Sequence, residues 1–240
     1  MVGKEKLRFK GTRSRNIIVT KKGKRRPDEV LLVTGHYDSY FNPGADDNAS
    51  AVAGVLELAR MLKETEMDCT VKFIAFANEE PPFFQTKNMG SWHYVKDALK
   101  RKERIRGCVN LEMIGHFYDE KGTQKYHPPL CFFYPDRGNY IAVVGNFKSR
   151  NLARKITKNF KGYSTFPIER MVIPGFVPGI DYSDQWAFWK HGLPAVMITD
   201  TAFFRNRHYH KKTETYEKLN YPSMAKVVEG LVPVIVDLAK

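Results

Sequence analysis

The sequence has few cysteines, and their spacing excludes two kinds of structural site. Only Cys69, Cys108 and Cys131 occur in 240 residues, and no pair has the C-x-x-C spacing of a structural zinc knuckle. An odd and widely spaced set also argues against a disulfide framework. Because free cysteine is one of the most buried residue types, we expect the three thiols to lie in the protein interior.

Long apolar segments are also missing. No run approaches the roughly 18–20 apolar residues that a membrane-spanning helix needs, so we expect no membrane span. The first residues lack the 7–15-residue apolar stretch of a secretory signal. We therefore expect a cytoplasmic protein, with secretion as the alternative if an export signal has been removed from this sequence.

Acidic residues are scarce at the beginning of the chain. Residues 1–26 contain eleven lysines and arginines but one acid, Glu5, so they carry +10 of the net charge of +13. A strongly basic segment of this kind can bind nucleic acid or anionic lipid. However, Phe9 is the only aromatic residue in residues 1–26 that could stack on a base. We expect residues 1–29 to form a basic strand and hairpin at a sheet edge, where lysine discourages aggregation, and we expect no nucleic-acid partner.

Apolar runs rich in β-branched residues alternate with helical patterns along the chain. Continuous apolar strands suit a sheet that is covered on both faces. The alternation predicts an α/β fold, a three-layer α/β/α sandwich with a central mixed, mostly parallel sheet, in a single domain of residues 1–240. The predicted strands are 16–20, 30–34, 70–77, 108–113, 141–144 and 195–199, and the predicted helices are 48–63, 91–104, 149–159, 183–190 and 223–239. A polar turn with Gly23 and Pro27 joins the first two strands as a hairpin.

Histidines and carboxylates follow several of the predicted strands. In open α/β sheets, sites form in the loops at the carboxyl ends of the strands, so these side chains should meet at one edge. Imidazole and carboxylate donors without thiolate indicate zinc, with Mn²⁺ and Co²⁺ as alternatives. Two ions that share one carboxylate need two histidines and three carboxylates. His36, Asp46, Glu80, Glu112 and His210 supply that set.

Two further acids near these residues fit supporting roles. Asp38 lies two residues after His36 on an extended strand end, so both side chains point the same way. Asp38 can therefore accept a hydrogen bond from the ring nitrogen of His36 that does not bind metal. Glu79 and Glu80 are adjacent, so one can bind metal while the other acts as general base toward the attacking water.

The order of five motifs resembles the co-catalytic di-zinc exopeptidases of clan MH, which include bacterial leucyl aminopeptidases and glutamate carboxypeptidase. The motifs are GHYDS, PGADDNASA, NEE, NLEMIG and YHKKTET, and the resemblance runs from about residue 16 to residue 221. It implies the zinc exopeptidase fold and a peptide substrate. It also implies a zinc-dependent exopeptidase, which we expect to be an aminopeptidase, that cleaves peptide bonds with a hydroxide held between two zinc ions.

The resemblance also implies a role for each matching residue. His36 and Glu112 would bind one zinc, Glu80 and His210 would bind the other, and Asp46 would bridge the two ions. The Asp46–Asp47 peptide bond would be cis. Glu79 would be the general base, and Tyr209 matches a tyrosine that steadies the oxyanion in some members. His208 is the alternative to His210, because it lies only two residues away.

Two departures from the family pattern and two alternative functions stay open. Glu112 occupies a position that is frequently Asp in the family. The segment of residues 81–89 is longer than in the leucyl aminopeptidases, so the resemblance does not fix the substrate specificity.

One alternative function is that of a glutaminyl-peptide cyclotransferase of the same fold, which would need one zinc on Asp46, Glu80 and His210. The presence of His36 and Glu112 favours two ions. A non-catalytic binding domain is the other alternative.

Overall fold

Eight strands form one sheet in the order β1-β2-β4-β3-β5-β8-β6-β7 in the computed structural model, which describes residues 2–9 and 12–240. The four central strands β4, β3, β5 and β8 run parallel. Strand β2 pairs with β4 in antiparallel fashion, and β1 is antiparallel to β2. On the other side, β6 is antiparallel to β8, and β7 is parallel to β6. The strands are β1 Val2–Phe9, β2 Thr12–Lys21, β3 Arg26–His36, β4 Cys69–Phe76, β5 Arg104–Glu112, β6 Ile141–Gly145, β7 Ile168–Val172 and β8 Ala195–Thr199.

Among the described residues, five α-helices cover both faces of this sheet. They are α1 Ala51–Met61, α2 Gly90–Lys100, α3 Arg150–Tyr163, α4 Gln185–Lys190 and α5 Tyr221–Ala239. Helices α1, α3 and α5 pack together on one face, and α2 and α4 pack on the other. The predicted three-layer α/β/α sandwich with a mixed sheet is therefore confirmed.

The two apolar cores explain why β3 is an uninterrupted apolar run. Successive side chains of a strand point to opposite faces. Leu31 packs in the core beneath α1, α3 and α5, whereas Leu32 packs with Tyr94 of α2 and Phe188 of α4 in the other core. Both leucines are completely buried. A strand with one wet face would have alternated apolar and polar residues instead.

The predicted hairpin between residues 16–20 and 30–34 is wrong. Strand β2 pairs with β1 and with β4, so β4 lies between β2 and β3. The connection between β2 and β3 is fixed to the residue before β4, because the backbone amides of Arg25 and Arg26 donate to the Asp68 carbonyl oxygen. Strand β7 was not predicted, because its short sequence contains Glu169 and Arg170 and lacks a continuous apolar run.

The cysteines differ in burial, and the helices are too short or too polar to span a membrane in the part of the chain that the structure describes. Cys69 and Cys108 are buried as expected, but Cys131 is exposed, so that expectation was wrong for one thiol. Among the helices within residues 2–9 and 12–240, none combines the length and apolar character that crossing a bilayer requires.

Candidate metal centre and active site

Two groups of potential metal ligands meet at the carboxyl ends of the parallel strands and share one residue, Asp47. The first group is His36, Asp47 and Glu112, and the second is Asp47, Glu80 and His210. Within each group the ligand atoms lie within 4.8 Å of one another. Asp47 points one carboxylate oxygen at each group, because its Oδ1 is 3.2 Å from His36 Nε2 and its Oδ2 is 3.0 Å from His210 Nε2.

The remaining carboxylates complete the two groups. Glu112 Oε2 lies 3.3 Å from His36 Nε2, and Glu80 Oε2 lies 3.5 Å from His210 Nε2. His36 and Glu112 end β3 and β5, Glu80 follows β4, and His210 lies in the loop after β8. The parallel arrangement of the strands therefore assembles residues from distant parts of the sequence at one edge.

Asp47, not Asp46, takes the shared position, so the prediction for Asp46 is corrected. Asp46 Oδ1 accepts hydrogen bonds from Ser50 Oγ at 3.0 Å and Gly115 N at 2.8 Å, and Oδ2 accepts one from Asn206 at 3.2 Å. The backbone leaves helical geometry at Asp47 and Asn48, so the two adjacent aspartate side chains point to different sides, and Asp46 faces Ser50 four residues on.

The cis peptide bond is shifted in the same way. It joins Asp47 to Asn48, and not Asp46 to Asp47 as the resemblance implied. The two aspartates also differ in charge. Burial, and then the nearby Asp200 carboxylate, raise the pKa of Asp46 well above its usual range. Burial opposes ionisation of Asp47 too, but its contacts with His210 and His36 lower its pKa to about 2. Asp47 is thus the charged member of the pair.

Asp38 supports the site through contacts that were only partly predicted. The Nδ1 atom of His36 lies 3.1 Å from the main-chain oxygen of Asp38 and 3.6 Å from its carboxylate Oδ1. The Asp38 carboxylate instead accepts hydrogen bonds from the backbone amides of Glu79 and Glu80, each at 3.1 Å. The main-chain oxygen of Asp38 therefore orients the His36 ring, and its carboxylate fixes the backbone of Glu79 and Glu80.

Glu79 belongs to neither ligand group but lies beside them. Its Oε2 is 3.8 Å from His36 Nε2, and its side chain is buried. Burial raises the pKa of Glu79 well above its usual range; His36 opposes this, and the Glu112 and Asp184 carboxylates add to it. A carboxylate that is destabilised in its charged form, and that faces the ligand groups without joining them, is suited to accept a proton.

Asn48 and Ser183 hold Glu112, and sequence reasoning did not identify them. Asn48 Nδ2 donates to Glu112 Oε2 at 3.0 Å, and Ser183 Oγ donates to the same oxygen at 2.5 Å. Asn48 is further fixed because its Oδ1 accepts from the backbone amide of Met113 at 2.9 Å. Asn48 stands inside the PGADDNASA motif, so its position next to the shared aspartate was the available signal.

Tyr209 and His208 differ clearly in position. The Tyr209 ring stacks on His210 with centroids 3.9 Å apart, and it lines the same cavity as Glu79 and Glu112. His208 lies outside both groups, and its Nδ1 is 2.9 Å from Thr213 Oγ1. The choice of His210 over His208 agrees with this geometry.

A second, largely apolar cavity adjoins the cavity over the ligand groups. Glu112, Tyr182, Phe203 and Tyr209 line both cavities, so they form the boundary between them. The apolar cavity is further lined by Tyr126, Leu130, Val144, Met171, Ile173, Ile180 and Met197. An extended chain that crosses the ligand groups can therefore place one side chain in apolar surroundings.

Comparison with known proteins identifies the family. The sequence profile of Peptidase family M28 matches residues 16–235. The chain belongs to Peptidase family M28. The M28 chain is 41% identical over 216 residues to YfbL of Escherichia coli, an alignment that covers 86% of this chain and 66% of YfbL. It is 44% identical over 153 residues to the aminopeptidase YwaD of Bacillus subtilis, covering 62% of this chain and 30% of YwaD.

Solved structures show that the M28 fold extends over almost the entire chain. The zinc aminopeptidase BSAP from Bacillus subtilis superposes with a TM-score of 0.75 and 26% identity, over 97% of this chain and 52% of BSAP. Glutaminyl cyclase from Porphyromonas gingivalis gives a TM-score of 0.69 at 16% identity, over 99% and 83% of the two chains, and this shows a shared fold alone. The M28 chain spans less than two thirds of YfbL, YwaD and BSAP.

Proposed function

We propose that this M28 peptidase is a zinc-dependent aminopeptidase that hydrolyses the peptide bond next to a free N-terminus. The observation that carries the proposal is the pair of ligand groups joined by Asp47, with Glu79 beside them and committed to neither. The names of two similar proteins, the aminopeptidase YwaD and the zinc aminopeptidase BSAP, support the same activity.

The donor set fits two zinc ions. Each group supplies three imidazole or carboxylate donors, which is the usual number at a catalytic zinc and leaves a position for water or substrate. Among the described residues, the buried Glu80 Oε1 has no hydrogen-bond partner, and a bound cation would satisfy such an oxygen. His36, Asp47 and Glu112 would hold one ion, and Asp47, Glu80 and His210 the other. Mn²⁺ and Co²⁺ suit the same donors.

The chain's own residues would carry the proton and hold the reacting groups. When bound, zinc lowers the pKa of water and polarises the substrate carbonyl group. Glu79 accepts the proton of the attacking water and returns it to the leaving amine nitrogen, so the peptide bond breaks with no net change at Glu79. Tyr209 lines the cavity where the carbonyl oxygen acquires charge, and its position suits a donor to that oxygen.

Substrate panels test this function and its side-chain preference together. We expect zinc-loaded protein to hydrolyse leucyl and phenylalanyl p-nitroanilides at least about tenfold faster in kcat/KM than the glutamyl analogue, because the adjoining cavity is apolar. N-acetylation of the leucyl substrate should abolish turnover. Elemental analysis should find about two zinc ions per chain. Equal turnover of blocked substrates, or cyclisation of an N-terminal glutaminyl peptide with one ion per chain, would contradict the proposal.

Asp38 is expected to act as a positioning residue in this reaction. Asp38→Ala removes the acceptor for the amides of Glu79 and Glu80, so we expect kcat/KM to fall by roughly 10–100-fold, with weaker zinc retention in a chelator titration. Asp136→Ala, an exposed aspartate outside the site, is the control and should change neither quantity. If kcat/KM of Asp38→Ala stayed within twofold of the parent value, the backbone at Glu79 and Glu80 would be stable without the Asp38 carboxylate.

A further inference from the structure

A groove lined by five cations lies at the edge of the sheet opposite the candidate active site. We call it the basic groove, and its cations are Arg26, Arg104, Arg106, Lys148 and Lys155. The arginines lie at the beginnings of β3 and β5. Because β6 runs antiparallel to β8, its carboxyl end and the beginning of α3 reach this same edge. The active-site residues lie at the other ends of these strands, so the two regions face opposite directions.

The charges that line the basic groove are strongly unbalanced. Of the described residues that line it, Glu29 alone is acidic. Arg104 Nη2 lies 3.1 Å from Glu29 Oε1, and Arg26 Nη1 and Arg106 Nε lie 3.4 and 3.7 Å from Oε2. Three guanidinium groups therefore share the Glu29 carboxylate, and Arg26 and Arg106 also donate to the main-chain oxygen of Lys240. Lys155 donates to a main-chain oxygen, that of Asp237, at 3.1 Å. The lining as a whole has a net charge of +4.

The exposed face of α3 extends this positive surface. The helix carries five cations and no acid within Arg150–Tyr163. Residues 150, 154, 158 and 161 are exposed, and their spacing of three or four places them along one face. The nearby Asp237 carboxylate is already paired, with Lys240 at 2.8 Å and with the Tyr163 hydroxyl at 2.7 Å. Like charges at this density repel each other, and an anionic partner surface would relieve that repulsion.

Apolar groups accompany the cations, and they indicate the kind of anion. Beside α3 the groove is also lined by Leu152 and Pro194, which are partly exposed, whereas Leu31 and Leu238 beneath them are buried in the core. Phe147, immediately before Lys148, is 61% exposed. Free phosphate would need only the cations. Cations that surround apolar groups, with an exposed aromatic ring at the rim, match a phospholipid headgroup and the beginning of its acyl chains.

We propose that the basic groove and the exposed face of α3 bind a bilayer surface that is rich in anionic phospholipid, with Phe147 entering the interface. Attachment through this end leaves the candidate active site facing the water, where peptides can reach it. The binding is electrostatic at first contact, so it weakens as salt is raised. The proposal does not depend on the peptidase activity.

Vesicle co-sedimentation tests the proposal on the full chain. We expect binding to vesicles of equal parts phosphatidylcholine and phosphatidylglycerol, and none to phosphatidylcholine alone. The triple variant Lys148→Glu, Arg154→Glu, Lys158→Glu should lower the vesicle partition coefficient at least about tenfold, because each basic residue near the surface contributes to it. Phe147→Ala should lower it severalfold without any change in charge. Circular dichroism checks that each variant is folded.

A matched variant separates the surface from the overall charge. Lys96→Glu, Lys121→Glu, Lys226→Glu makes the same change in net charge at exposed lysines outside the basic groove, and its partition coefficient should stay within about twofold of the parent value. Equal loss in both triple variants would mean that net charge alone drives binding, which overturns the proposal. Binding to an oligonucleotide or to inorganic polyphosphate without vesicle binding would overturn it as well.

Discussion

Glu79→Gln is expected to lower kcat by roughly 10²–10⁴-fold while the zinc content stays unchanged. Glu79 lies outside both ligand groups, so its loss removes no donor to either ion. Glutamine keeps the size of the side chain and its capacity to hydrogen-bond, but it cannot accept the proton of the attacking water. The measurement pairs steady-state turnover of a leucyl substrate with elemental analysis of the same preparation.

The adjacent residue supplies the control for Glu79. Glu80→Gln makes the same chemical change one position along, at a side chain that lies 3.5 Å from His210 in the second ligand group. We expect this variant to lose zinc from that group, and its activity should recover partly when zinc is added. Full turnover in Glu79→Gln would show that another group takes the proton. Loss of zinc from Glu79→Gln would place Glu79 among the ligands.

The sequence predicted the layers of the fold because β3 and its parallel neighbours are buried on both faces. Leu31 and Leu32 pack in different cores, so burial on both faces is visible in the local sequence as a continuous apolar run. The order of the strands in the sheet is not visible in the local sequence. Residues 16–20 and 30–34 look like a hairpin because they are close in sequence, yet β4 separates them. The pairing of β4 with both β2 and β3 decides this, and it joins residues that are roughly 40 to 60 positions apart in the sequence.

Four of the five predicted ligands lie in the two ligand groups, and Asp47 stands there in place of its neighbour Asp46. Adjacent aspartates at positions 46 and 47 have the same chemistry, and only the local backbone decides which of them faces His36 and His210. Ser183 could not be identified, because a serine before a helix is common and its bond to Glu112 spans 71 residues. The basic groove was also missed. Its cations come from three separate segments, at the beginnings of β3, β5 and α3, whereas the surplus of positive charge in the sequence lies in residues 1–26, which contribute only Arg26.

Asp47→Ala is expected to have the largest effect on metal binding of any single substitution. Each carboxylate oxygen of Asp47 faces one ligand group, so its removal takes a donor from both. The charge is lost as well, since the pKa of about 2 keeps Asp47 ionised at neutral pH. We expect zinc content well below two ions per chain and a fall in kcat/KM beyond the roughly 10–100-fold that loss of an outer hydrogen-bond partner causes.

Asp46→Asn is the matched test of the corrected assignment. Asp46 belongs to neither ligand group, and asparagine keeps the size and shape of its side chain. Burial raises the pKa of Asp46, so loss of the negative charge is tolerated better here than at Asp47. We therefore expect Asp46→Asn to retain two zinc ions and most of its activity. Its thermal stability should fall, because the new amide group must fit beside the donors Ser50, Gly115 and Asn206. If Asp46→Asn lost zinc while Asp47→Ala retained it, Asp46 would be the bridging ligand and the local backbone would have to turn over to bring it there.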